Sequence, residues 1–295
     1  MFQQIKGVIA AVALAVNTVF WFIPIMLGAI VRLLLPFATV RRLTSRLLMA
    51  SGENWITVNN WLLDTTQGTR FHITGADALG RDDWYLVVSN HQSWIDIVVL
   101  QRVFNRRIPF LKFFIKQQLI WVPFLGLAWW AMDMPFMKRY SRKFLEKHPH
   151  LRGKDLEATR KSCERFAEVP TTVINFVEGT RFTPEKHTNS KSTYQHLLPP
   201  RAGGVAFALS VMGEQFHMML DVTIVYPGGR KRFWDMFTGK LDDVVVDVRK
   251  VPVEPWMHEG DYAADLAFRA RFQAWLSALW AEKDERFEAL EKDWN

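Results

Sequence analysis

The chain has a single cysteine, Cys163, so no intrachain disulfide can form. It lies in "TRKSCERF", a charged stretch of helical character, and reads as a packed or incidental thiol. Metal-binding patterns are also missing. There is no H-E-x-x-H and no C-x-x-C, and the eight histidines show no ligand spacing. G-x-S-x-G, the strained turn that presents a serine nucleophile, is absent. No internal repeat or low-complexity linker divides the chain. One long stretch, Gly7 to Val31, lacks charge altogether.

That uncharged run exceeds the ~20 residues needed to cross a bilayer. It allows a single tilted span or, through Pro24, a broken hairpin dipping into one leaflet. A buried helix in a soluble core is the plainer alternative. A cleaved signal peptide fits poorly, because the run is too long and no small-x-small cleavage site stands out. Lys6 precedes the run, Arg32, Arg41, Arg42 and Arg46 follow it, and the first acid is Glu53. This bias places the rest of the chain on the cytoplasmic side. The next segment, "FATVRRLTSRLLMASGENWITVNNWLL", reads as an amphipathic helix lying along the membrane or joining the body to it.

The 22 Phe and 13 Trp suit apolar packing or a membrane–water interface, and a net charge of +7 favours anionic partners. A chain of 295 residues can bury one sizeable core. The expected organisation is an N-terminal membrane-anchoring helical region, 1–65, and an α/β domain, 66–295, that ends in a long helix. Its fold class is α/β, with a mixed, largely parallel sheet flanked by helices. Strands are expected at "WYLVVS", "RIPFL", Met134–Met137, "PTTVINFVEGT", "LDVTIVYP" and "DVVVDVRKV". Helices are expected at "IDIVVLQRVF", "GKDLEATRKSCERFAEV", "GGVAFALSVMG" and from Gly260 onward. "FIKQQLIWVPFLGLAWWAMDMPFMKR" reads as helical up to Pro123 and as facing the membrane without crossing it.

Two polar knots follow apolar strands. The first is Ser89-Asn90-His91-Gln92-Ser93, with Asp96 inside the next apolar run. As plain structure, Ser93 is an N-cap and Asp96 completes a capping-box-like pattern in the first helical turn. As chemistry, His91 at the carboxyl end of a buried strand points into the crevice where open α/β sheets bind ligands. Asp96 can then fix its tautomer and leave the other ring nitrogen to take a proton. The second knot is Glu178-Gly179-Thr180-Arg181. It is either a turn with a surface Glu–Arg pair or an anion site in which Arg181 clamps a phosphate. A third place sets Lys138 and Arg139 after "MPFM", where a solvated basic patch is the plain reading.

These blocks together resemble a known family. "NHQSWID" resembles the N-H-x4-D block of glycerolipid acyltransferases, and "FVEGTRF" resembles their E-G-T-R block. "MPFMKR" and "FIKQQLIWVPFLG" resemble the blocks between them, in the same order. The chain from about Asp83 to about Tyr226 is thus similar to the 1-acyl-glycerol-3-phosphate (lysophosphatidate) acyltransferase family. The long loop before Gly203 and the late Pro227 look more like the branch that includes lysocardiolipin-type enzymes.

The resemblance implies a reaction: an acyl group moves from acyl-CoA or acyl carrier protein to the sn-2 hydroxyl of lysophosphatidate or another lysophospholipid. It implies His91 as general base and Asp96 as its support. Arg139 and Arg181 would bind phosphate, with Lys138, Glu178, Gly179 and Thr180 shaping the pocket and Lys116 near the reacting carbonyl. The partners implied are the two substrates, the lipid bilayer and in some cases acyl carrier protein. No cofactor beyond the thioester and no nucleic acid is expected, and the implied location is a bacterial inner membrane. Two other readings remain open: a membrane-anchored lipase or thioesterase, and a non-enzymatic module binding anionic lipid.

Overall fold

The two most apolar strands are buried on both faces, which places helices above and below the sheet. The computed structural model describes residues 2–35, 37–137 and 169–294. Its main sheet contains β1 (Arg70–Thr74), β2 (Tyr85–Ser89), β3 (Leu111–Phe113), β6 (Thr172–Phe176), β7 (Met218–Val225) and β8 (Asp243–Pro252). Their order is β1-β8-β7-β2-β6-β3. Every neighbouring pair is parallel except β7 with β8. A small parallel pair joins β4 (Ile115–Lys116) to β5 (Phe136–Met137). The expected mixed, largely parallel sheet is therefore present.

The helices among the described residues are α1 (Phe2–Leu34), α2 (Ala38–Gln67), α3 (Ile95–Phe104), α4 (Leu125–Ala131), α5 (Pro184–Ser190), α6 (Ala202–Met212), α7 (Trp256–Glu259) and α8 (Leu266–Trp294). One face of the sheet, through Leu86 and Val88, packs on α6 and on the α8 row Phe272, Leu276, Trp280 and Phe287. The opposite face, through Tyr85 and Val87, packs on α3 and receives Ala10 of α1. Successive side chains of β2 thus feed two different cores, as a period of two requires. A third cluster joins Ile25 and Ala29 of α1, Leu48 and Ile56 of α2, and Ala128 and Ala131 of α4.

α1 runs unbroken through Pro24, so of the two readings of this run the one with a break at that proline does not hold. A proline removes one helical hydrogen bond. Phe22, Ile25 and Ala29, around it, are held by the third cluster, which keeps the helix on course. The hairpin instead lies between α1 and α2. Asn17 Nδ2 donates to Asn59 Oδ1 at 2.8 Å and to the Trp55 carbonyl at 3.1 Å. Trp55 Nε1 donates to Thr18 Oγ1 at 3.1 Å. At the far end of α1, Arg32 pairs with Asp133 at 2.6 Å. α1 is the one helix among the described residues long and apolar enough to cross a membrane, and most of its apolar side chains, such as Val12, Val16, Phe20 and Leu27, are exposed.

Other expectations shift. The strand expected at "RIPFL" begins only at Leu111. The amides of Arg107 and Ile108 fold back onto the Phe104 carbonyl, Arg106 has φ +63°, and Pro109 has no N–H to pair. The stretch read as helical before Pro123 is β4 followed by a short 3-10 turn, Gln117–Trp121, and α4 starts after the proline. The last helix starts at Leu266 rather than near Gly260, because Asp261 first caps the Ala263 and Ala264 amides. The helix expected at "GKDLEATRKSCERFAEV", which holds Cys163, lies outside the described residues except for Val169.

Candidate active site

β2 ends at the centre of the sheet, between β6 and β7, and delivers the first knot to the carboxyl edge of three parallel strands. Asn90, fully buried, extends the ladder with its side chain. Its Nδ2 donates to the Ile224 carbonyl and its Oδ1 accepts from the Ile224 amide, both at 2.9 Å. Gln92 Nε2 donates to the same carbonyl at 2.7 Å. The knot is thereby fixed to β7 before α3 begins.

His91 Nδ1 lies 2.7 Å from Asp96 Oδ2. That oxygen also accepts from the amides of Gln92 at 2.6 Å and Ser93 at 2.9 Å. The other oxygen, Oδ1, accepts from the Tyr226 hydroxyl at 2.6 Å. Asp96 is fully buried, so these donors replace the water it has lost. Tyr226 is buried too, and burial first, then the Asp96 charge, push its hydroxyl well above the ordinary range, which keeps it a donor. With Nδ1 on a carboxylate, the imidazole presents Nε2 as its free nitrogen. The ring is stacked on Phe176 of β6, centroids 4.0 Å apart.

The cap expectation is met in altered form. Ser93 Oγ accepts from the Ile95 amide, but Trp94 holds the N-cap position. Asp96 reaches back to amides that precede the helix. The helix start and the His–Asp contact therefore use one carboxylate.

The second knot follows β6, the parallel neighbour of β2. Gly179 has φ +68°, a conformation that disfavours any side chain. Glu178 corrects the surface-pair reading: it is 1 % exposed, and its Oε1 accepts from the His91 amide at 3.1 Å. Burial pushes its carboxyl up to about 8, against the pull of the His91 and Leu198 amides. It supports the first knot from behind rather than facing the cavity. Thr180 Oγ1 accepts from Lys186 Nζ at 2.7 Å, and the same ammonium donates to the Arg181 carbonyl at 2.9 Å. The Arg181 guanidinium lies over the Trp94 ring, 4.4 Å from its centroid. The Phe182 amide donates to the His91 carbonyl at 2.7 Å and ties the two knots together.

A cavity of about 1710 Å³ opens at these knots. His91, Gly179, Thr180, Arg181 and the exposed Lys116 line it, together with Arg201. It continues along apolar walls from α1, α2 and α4, including Leu14, Ile56 and Leu125. Lys138 and Arg139 lie outside the described residues. Sequence reading alone missed Tyr226, Arg201 and Arg230, whose Nε donates to the Gln92 carbonyl at 2.9 Å, and gave Asn90 and Gln92, members of the first knot, no role. Tyr226 sits at the end of β7, a strand the sequence shows, but nothing local marks its hydroxyl as aimed at Asp96.

Comparison with known proteins agrees with this architecture. The family model described as Acyltransferase matches residues 70–227, and the chain belongs to that family. It is accordingly an enzyme of the acyltransferase class. It is 25% identical to mouse (Mus musculus) lysocardiolipin acyltransferase 1, over 90% of this chain and 68% of that protein. It is 26% identical to mouse 1-acyl-sn-glycerol-3-phosphate acyltransferase gamma, over 83% of this chain and 63% of the relative. For the delta form from the same species the identity is 26% over 68% of this chain, which spans about half of that relative (51%). The crystal structure of the 1-acyl-sn-glycerophosphate (LPA) acyltransferase PlsC from Thermotoga maritima shares the fold, with a TM-score of 0.53 and 16% identity, covering 97% of this chain and 98% of that one.

Proposed function

We propose that the protein transfers a fatty acyl group from a thioester donor to the free hydroxyl of a lysophospholipid, with lysophosphatidate as the acceptor. The observation that carries this reading is the His91–Asp96 contact at the mouth of a large, mostly apolar cavity, with cations on the wall beside it. His91 Nε2 takes the proton from the acceptor hydroxyl as its oxygen attacks the thioester carbonyl. Asp96 stabilises the imidazolium that forms. The tetrahedral intermediate collapses, the carbon–sulfur bond breaks, and the departing thiolate takes the proton back from Nε2. In this reading Arg181 binds the acceptor phosphate and Lys116 stabilises the charge that develops on the carbonyl oxygen; both line the cavity. The apolar walls take the acyl chains; the volume exceeds the roughly 300–1,000 Å³ of ordinary ligand pockets.

The exposed apolar length of α1 and the basic residues after it support attachment to the cytoplasmic face of a membrane, where both substrates collect. The donor is acyl-CoA or acyl carrier protein, and no cofactor beyond the thioester enters the reaction. A lysocardiolipin-type acceptor is a second reading, favoured by the match to lysocardiolipin acyltransferase 1 over 90% of this chain.

Purified protein, given labelled acyl-CoA or acyl carrier protein and a panel of lysophospholipids, with products read by mass, tests the reading. Phosphatidate is the expected product, and His91→Ala should lower its rate by about 10²–10⁴. Full activity in that variant would overturn the assignment. Free fatty acid formed regardless of added lysolipid would point to a hydrolase instead.

A further inference from the structure

Arg201 has no place in the motifs that mark the site, yet it stands on the wall of the same cavity. It is the last residue before α6, and its amide donates to the Val177 carbonyl at 2.8 Å, which fixes it to the end of β6. Its side chain lies over Gly179. A Cβ on that glycine would stand 3.0 Å from the Arg201 Cδ and 3.6 Å from one guanidinium nitrogen. The glycine of the second knot therefore leaves the space that Arg201 fills.

The guanidinium has no acid partner among the described residues. Arg32, Arg70, Arg81, Arg102, Arg249 and Arg286 all pair with carboxylates. Glu178, adjacent in sequence to Gly179, is buried behind the site and favours its neutral form, so it does not neutralise Arg201. Glu259 and Asp261 also line the cavity, but neither is paired with Arg201, and Asp261 caps the Ala263 and Ala264 amides. Arg181, two residues beyond Gly179, is also without a carboxylate and rests on Trp94. Arginines without acid partners on the wall of the cavity that also holds His91 suit an anion brought by the substrates.

We propose that Arg201 is a phosphate-binding residue of the acyl-transfer site, gripping a phosphate group beside Gly179. The assignment rests on the acyl-transfer reading above. Two sources carry that chemistry: the headgroup phosphate of the lysophospholipid, and the phosphates of the donor's carrier.

Steady-state kinetics of the full chain in detergent micelles separates them, with lysophosphatidate and palmitoyl-CoA varied in turn. Arg201→Gln should raise KM for one of these substrates by about 10- to 100-fold while kcat changes far less. Arg201→Lys should recover part of the loss. A rise for lysophosphatidate identifies the headgroup; a rise for palmitoyl-CoA identifies the donor. Both KM values unchanged, or a fall in kcat alone, would overturn the proposal. If Arg201→Gln does not fold, as judged by circular dichroism, Arg201→Lys carries the same test with a smaller shift. A wild-type protein that transfers no acyl group from either acyl-CoA or acyl carrier protein to any lysophospholipid of the panel above would remove the acyl-transfer reading instead. Tryptophan fluorescence titrations with glycerol 3-phosphate and with CoA would then decide whether Arg201 binds phosphate: equal affinity in wild type and R201Q refutes it, and weaker binding in R201Q upholds it.

Discussion

The Tyr226 hydroxyl donates to Asp96 Oδ1 at 2.6 Å, across a sequence separation of 130 residues. It is the donor to the one carboxylate oxygen that neither His91 nor the α3 turn uses. Tyr226→Phe removes that donor and leaves a buried anion short of one hydrogen bond, a cost of about 1.5–3 kcal/mol for a charged group. We expect kcat to fall about tenfold or more with little change in KM, because the loss falls on the His91 support rather than on substrate contact. An unchanged kcat would show that the two backbone amides suffice.

Glu178 gives the fold a signed pH dependence. Its carboxyl is held at about 8, above its unfolded value, so the folded chain binds a proton that the unfolded chain has already released. Its contribution is fully present below the unfolded pKa and is lost as pH rises toward about 8. Denaturant unfolding at a series of pH values should show stability declining across that window. Glu178→Gln can still accept from the His91 amide and should flatten the decline. A decline of the same slope in the variant would assign it to other groups.

Much of this is legible in the amino-acid sequence. The alternation and apolar content of β2, β6, β7 and β8 mark the central strands, and the spacing of His91 and Asp96 foretells their contact, since a residue in the first turn of a helix reaches back over the preceding loop. Edges and connections were harder. β1, "RFHIT", is short and half-exposed, and it pairs with β8, more than 170 positions later, so no local pattern reveals it. Glu178 reads as a surface acid because its burial comes from the arrangement of β6 against the first knot. Arg201 follows Pro199 and Pro200 at the end of an irregular stretch, just before α6, where no periodic signal marks it.

Lys283 of α8 is fully buried and lies 2.6 Å from Asp221 Oδ1 on β7. Its ammonium also donates to the Val222 carbonyl at 2.6 Å. Burial lowers its pKa and Asp221 opposes that shift. Lys283→Ala should cost about 3–5 kcal/mol, nearer the lower figure because Arg249 still holds the other Asp221 oxygen. Chemical denaturation measures it. Lys283→Ala with Asp221→Asn should regain part of the loss, and failure to do so would show that the packing of α8, not the ion pair, sets the cost.

The exposed aromatic residues on the 3-10 turn and α4 predict a second membrane contact beside α1. Trp121 is 86% exposed and Trp130 44%, and Phe124 meets Phe22 of α1 edge to face. In a vesicle flotation assay the protein should stay bound at high salt, since apolar burial is not screened as surface charge is. Trp121→Ser with Trp130→Ser should shift protein from the vesicle to the soluble fraction. Release by salt alone would mean that charge holds the protein there.

α1 is built into the globular body as well as into the apolar surface. A Cβ on Gly7 would stand 3.1 Å from the Phe237 carbonyl oxygen, and Ala10 lies in the core beneath the sheet. α2 covers Ile25 and Ala29 soon after α1 is made, but the Gly7–Ala10 end waits for partners some 230 positions later. Until then that end of α1 and its exposed apolar side chains have no protein partner, which favours folding against a lipid surface that can shelter them in the interval. Cutting the helix away to obtain a water-soluble fragment would open the core that holds the sheet.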